Sequence, residues 1–127
     1  MSISHHDARF NAIQVAKELL LLEDHYAKVF CAECIFKHLL KIDAYCDEAK
    51  TLDNADKVQH LCKEAKDLVV RHLEWLKSNV GKPIPAEEFE KKRQEMLQEA
   101  RQLRKKIFEE VAGVTTATEE IHDIRFD

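Results

Sequence analysis

The sequence predicts an all-α fold: a four-helix bundle of antiparallel helices that ends in a long C-terminal helix. Three observations carry this. The 127 residues include only two Gly and two Pro, and a β-sandwich, a dinucleotide-binding unit or a phosphate-cradling loop needs more turn chemistry than that. Apolar residues recur at helical spacing along four long segments. The connections between those segments are mostly short, which makes consecutive helices antiparallel neighbours. One domain over residues 1–127 is expected, with its core in about residues 8–112.

Asp7 is placed to cap a first helix over about residues 8–24. Phe10, Ile13, Ala16, Leu20 and Leu21 form its stripe, and Leu19 and Leu22 widen it, so this helix should be buried on more than one side. A second helix is expected over about residues 30–50, with Cys31, Cys34, Ile35, His38, Ile42, Tyr45, Cys46 and Ala49 on one face. Thr51-Leu52-Asp53-Asn54 is polar and rich in cap formers, and reads as a turn. The third helix, about residues 55–78, carries Val58, Leu61, Cys62, Ala65, Leu68, Val69, His72 and Leu76.

The clearest break is Asn79 to Pro85, where Gly81 ends a helix and Pro83 and Pro85 prevent its continuation. Pro85 then stands where helices begin, followed by Glu87 and Glu88 at the positive end of the dipole. The fourth helix is expected over about residues 86–112, with Gly113 as its C-cap. Its stripe of Phe89, Met96, Ala100, Leu103, Ile107 and Val111 is narrow and interrupted by Arg93. A three-helix core with this helix projecting into an oligomer is the second arrangement such a stripe permits. The tail, residues 114–127, is expected either to be extended and disordered or to lie on a neighbour through Ile121, Ile124 and Phe126.

Charged residues make up 35% of the chain and hydrophobic ones 45%, which excludes both a disordered chain and a membrane protein. No apolar run exceeds four residues, where a spanning helix needs about 20. The net charge of −4 argues against nucleic acid as a partner. The clusters Lys91-Lys92-Arg93 and Arg101 to Lys106 share a helix with seven acidic residues and read as a solvated, salt-laced surface. Met1 to His6 is not a secretory signal. A cytoplasmic or virion location is therefore expected, where four cysteines serve as thiols or metal ligands rather than disulfides.

The unusual feature is Cys31-x-x-Cys34-x-x-x-His38. On a helix these positions share a face. Two thiolates and an imidazole make three-quarters of a closed tetrahedral zinc site. His25 is the nearest fourth ligand. In an unbroken helix it would stand about 240° around from Cys31 and face away, so it ligates only if the chain breaks between Tyr26 and Val29. Cys62, His60 and His72 of the third helix are the alternatives. Cys46 and Cys62 otherwise read as small buried hydrophobes, and His72 as a satisfied, partly buried histidine. The same Cys-x-x-Cys at a helix start also suits thiol redox chemistry, since the dipole lowers the first thiol's pKa. No Ser-centred nucleophile motif is present, and the carboxylates Glu23, Asp24, Glu33, Asp43, Asp47 and Glu48 fit helix surfaces.

Two resemblances bear on this segment. Phe30-Cys31-Ala32-Glu33-Cys34 with Lys37-His38 resembles the redox motif of the flavin-linked sulfhydryl oxidases, which implies Cys31 and Cys34 as a redox pair beside a flavin. That family also carries a His-Asn-x-Val-Asn segment and an upstream Trp, and neither occurs here; the single Trp is Trp75. Residues 16–53 are similar to small uncharacterised helical proteins of marine phages and large DNA viruses. The shared pattern is Leu21-Leu22-Glu23-Asp24-His25, then Cys31-x-x-Cys34-x-x-Lys37-His38, then Glu48-Ala49 and Leu52-Asp53. This resemblance implies that His25, Cys31, Cys34 and His38 act together and brings no activity. The expectation is a non-enzymatic structural or interaction protein stapled by zinc, with the viral resemblance implying a component of a virus particle. Its protein partner or second copy would meet the C-terminal helix and tail.

Overall fold

In the computed structural model, which describes residues 5–28, 31–79 and 81–112, four α-helices follow one another. They are α1 (Ala8–Lys28), α2 (Ala32–Ala49), α3 (Ala55–Ser78) and α4 (Ala86–Ile107), the last running into a π-helical turn, Phe108–Ala112. Cross-helix pairs fix their directions. Asn11 meets Tyr45 and Glu18 meets His38. Asp43 meets Lys66 and Cys46 meets Cys62. Glu64 meets Lys106 while Arg71 meets Glu99. In each set the numbering rises on one helix as it falls on the next, so successive helices run antiparallel. The expected all-α bundle is the observed fold.

The helices are not equivalent. α1 packs on α2, α3 and α4, and is the centre about which the others stand. Ala12, Val15, Ala16, Leu19, Leu22 and Tyr26 are all buried, each large side chain contributing about 1.5–3 kcal/mol relative to exposure. The expected stripe needs one correction. Leu21 is 41% exposed, whereas Leu19 and Leu22 are fully buried. With neighbours on three sides, α1 shows solvent mainly the narrow strip Lys17, Leu21, Asp24 and Lys28, whose spacing is one helical face, with Ala27 exposed beside it in the last turn. Phe10 is half-buried.

The start of α1 is tied to the α2–α3 turn. Asp7 Oδ1 accepts from the Arg9 amide at 2.9 Å, the capping bond expected of it. Its other oxygen accepts from Arg9 Nη2 at 2.7 Å and from Asn54 Nδ2 at 2.9 Å. Ala8 N–H donates to Asp53 O at 2.7 Å and Asp53 N–H to His6 O at 3.0 Å. Asn54 stands at φ 62°, a left-handed position that Asn tolerates better than most side chains.

α3 has the expected bounds. α1 continues to Lys28 rather than stopping near Asp24, because Tyr26 is wholly buried in its last turn. α2 begins at Ala32, with Cys31 as its cap rather than inside the helix. α4 lies along α1 through Met96, Ala100, Leu103 and Ile107, all buried. It belongs to the bundle and does not project. Its regular hydrogen bonding ends at Ile107, five residues before the expected end, and the π turn that follows buries Phe108 and Val111. Gly113 and the tail lie outside the described residues.

The hydrogen bond from Arg9 holds the Asp7 carboxyl at about 2, against an ordinary 3.8. A depressed folded-state value adds stability above 3.8 that is lost as pH falls toward about 2. Asp7→Ala should cost about 1 kcal/mol at neutral pH and flatten the acid limb of a denaturation series. An unchanged acid limb would contradict the role given to Asp7.

Candidate functional site

A helix leaves its last carbonyls without partners, and neither Gly nor Pro ends α1. Arg93 of α4 supplies the missing donors. Its Nη1 donates to Tyr26 O at 2.9 Å and to Ala27 O at 3.0 Å. Glu90 holds the guanidinium from its own helix, with Arg93 Nη2 to Glu90 Oε1 at 2.7 Å. On the far side, Cys31 is extended (φ −113°, ψ 118°) and its Sγ accepts from the Cys34 amide at 3.4 Å. The chain therefore reverses between Lys28 and Ala32. That break lets His25 face α2, and the His25 and His38 rings stand 4.9 Å apart. Cys34 and His38 lie one turn apart on α2, so the reversal gathers all four residues at one end of the α1–α2 pair.

The two thiols differ. Cys31 is pushed down, chiefly by the hydrogen bond from the Cys34 amide and then by its contact with the Cys34 thiol. Cys34 is pushed up, because it shares its proton with Cys31 and is partly desolvated. Both are half-buried. His38 is buried, and its Nδ1 lies 2.7 Å from Glu18 Oε2 of α1. With Nδ1–H donating to the carboxylate, the neutral ring carries its lone pair on Nε2. Glu18 carried no signal in the sequence beyond a charge on an apolar helix.

The other ligand candidates are held elsewhere. His60 Nε2 lies 2.8 Å from Glu110 on the surface. His72 is buried outright: Tyr26 O–H donates to its Nδ1 at 2.7 Å, and its Nε2–H donates to Glu99 at 3.1 Å. Burial pushes His72 down and Tyr26 up, which matches this neutral tautomer. Burial alone would raise Glu99, but the bonds from Arg71 and His72 outweigh it and hold Glu99 below its ordinary value. Cys62 meets Cys46, and both are buried as expected.

Glu23 corrects the surface reading of the carboxylates. It is 5% exposed and accepts from Arg104 Nη2 at 3.0 Å and Arg101 Nε at 3.1 Å. Arg104 is itself 2% exposed. A leucine-rich helix surrounded by partners places this carboxylate inside, and α4 supplies the cations that make burial tolerable.

As the side chains stand, no group of three or more His, Cys, Asp or Glu among the described residues is arranged to hold a metal ion. No described helix is long and apolar enough to cross a membrane. Fold and site together define a helical bundle with a Cys-x-x-Cys and a histidine pair at one helix reversal. Comparison with protein-family models, with curated proteins and with solved structures finds no match in any of the three.

In metal-free protein near neutral pH, iodoacetamide should label Cys31 ahead of Cys34, and both well ahead of buried Cys46, as read by peptide mapping over time. Equal labelling of Cys31 and Cys34 would contradict the asymmetry of the pair.

Proposed function

We propose that this chain is a small non-enzymatic structural or interaction protein whose α1–α2 reversal is stapled by one zinc ion held by His25, Cys31, Cys34 and His38. The close approach of His25 to His38 carries the reading, since it depends on a break that a continuous helix would not supply. The donor set fits: two sulfurs and two imidazole nitrogens suit a closed tetrahedral zinc site. Glu18 on the Nδ1 of His38 is the outer partner that metal-bound imidazoles usually have. The four side chains would turn toward a common point to bind. Bound zinc would supply cross-linking between the two helices and add its binding free energy to folding. The partner would be a protein or a second copy, met by the outer face of α4 and the Ile121, Ile124 and Phe126 tail. The viral resemblance over residues 16–53 favours a virus-particle component.

The thiol asymmetry of Cys31 and Cys34 favours a second reading, a flavin-linked thiol oxidoreductase. One preparation separates the two. Untagged protein is analysed for metals and scanned for visible absorbance. The staple predicts one zinc per chain and no flavin band, loss of zinc and of stability in Cys34→Ser, and zinc binding weakened about 10- to 100-fold in Glu18→Gln. A yellow, zinc-free protein whose Cys34→Ser variant stays folded would replace the staple with the oxidoreductase. Neither zinc nor flavin would leave the two cysteines as packing residues.

A further inference from the structure

A second thiol pair lies away from this reversal. Cys46 on α2 and Cys62 on α3 face each other across two antiparallel helices, 3% and 7% exposed. Both line one cavity of about 360 Å³, together with Lys50, Lys63, Lys66 and Gln59. Packing alone explains two small buried thiols, but not that both open onto one cavity rimmed by three lysines and Asp67, with Lys50 and Lys63 paired to Asp47 and Asp67. Lys66 also pairs with Asp43 of α2 at 3.5 Å, which keeps its ammonium over the α2–α3 seam.

We propose that Cys46 and Cys62 form a peroxide-oxidised site whose product is a disulfide joining α2 to α3. Cys62 is the attacking sulfur. Its thiol is pushed down chiefly by its contact with the Cys46 thiol, with Lys66 and Lys50 adding to this against the opposing effect of burial, while the same contact and burial push Cys46 up. The oxidant is hydrogen peroxide, small enough for the cavity. The Cys62 thiolate attacks one peroxide oxygen and the O–O bond breaks. The departing hydroxide takes a proton and leaves as water, and Cys62 becomes a sulfenic acid. The Cys46 sulfur then attacks the Cys62 sulfur. The S–S bond forms, the S–O bond breaks, and the Cys46 proton leaves with the hydroxyl as a second water. Two thiols are oxidised and one peroxide is reduced. A low-molecular-weight thiol reverses the step by exchange.

The test uses the full chain treated with hydrogen peroxide, blocked, and digested without reductant for mass spectrometry. A peptide pair joined through Cys46 and Cys62, formed in the folded state and lost on reduction, is the expected result. In Cys46→Ala, dimedone should trap Cys62 as its sulfenic acid. In Cys62→Ala, Cys46 should stay unlabelled. The wild-type map stands whether or not either variant folds. Cys46 and Cys62 remaining thiols while other cysteines oxidise would overturn the proposal, as would their joining only after unfolding. Labelling of Cys46 in place of Cys62 would overturn the assigned order.

Discussion

The reversal between α1 and α2 is the constraint on which the rest of the molecule depends. A helix as apolar as α1 has no local reason to stop after Lys28. It ends there because Arg93 of α4 takes the carbonyls of Tyr26 and Ala27, and because Cys31 opens α2 with its own cap. Three elements are thereby fixed by groups that all meet at one end of the bundle. The pairing of His25 with His38 follows from this geometry. So does the placing of Glu18 against the inner nitrogen of His38, one element supplying the base and its neighbour the ring.

The same end of α1 is unusually polar inside. Glu18 meets His38, Glu23 meets Arg104 and Arg101, and Tyr26 meets His72, which meets Glu99. Each link joins α1 to a different helix, directly or through one intermediate. The buried ion pair of Glu23 with Arg104 adds little net stability over apolar packing, yet losing one partner costs about 3–5 kcal/mol, because the other charge is left without compensation. Breaking the Tyr26–His72 bond likewise strands a buried polar group. These links therefore resist sliding of the helices more than they drive collapse. The collapse comes from Leu19, Leu22, Ile42, Val69, Met96 and Ile107, all buried in one core.

Much of the fold was legible in the sequence. Periodicity, the Asp7 cap, the polar turn at Asn54 and the break at Gly81 and Pro83 are local signals, and local signals located α3 and the starts of α1 and α4. What failed was what depends on neighbours. Leu21 looked like its flanking leucines, and only the number of helices around α1 decides which of them stays wet. Arg93 looked like an interruption of an apolar stripe, when it is the cap of a distant helix. Glu23 looked like a surface charge, since its cations lie on α4, far along the chain. The spacing of Cys31, Cys34 and His38 marked the candidate site, and helix arithmetic showed that His25 needed a break. The break itself has no residue signature, because a long-range hydrogen bond makes it.

The most direct measurement is the zinc-edge X-ray absorption spectrum of protein purified without a metal-affinity tag. The account predicts a four-coordinate ion with two sulfurs at about 2.3 Å and two nitrogens at about 2.0–2.1 Å, with one nitrogen scatterer replaced in His25→Ala. A shell of oxygen and nitrogen alone, or protein that retains no zinc, would contradict it.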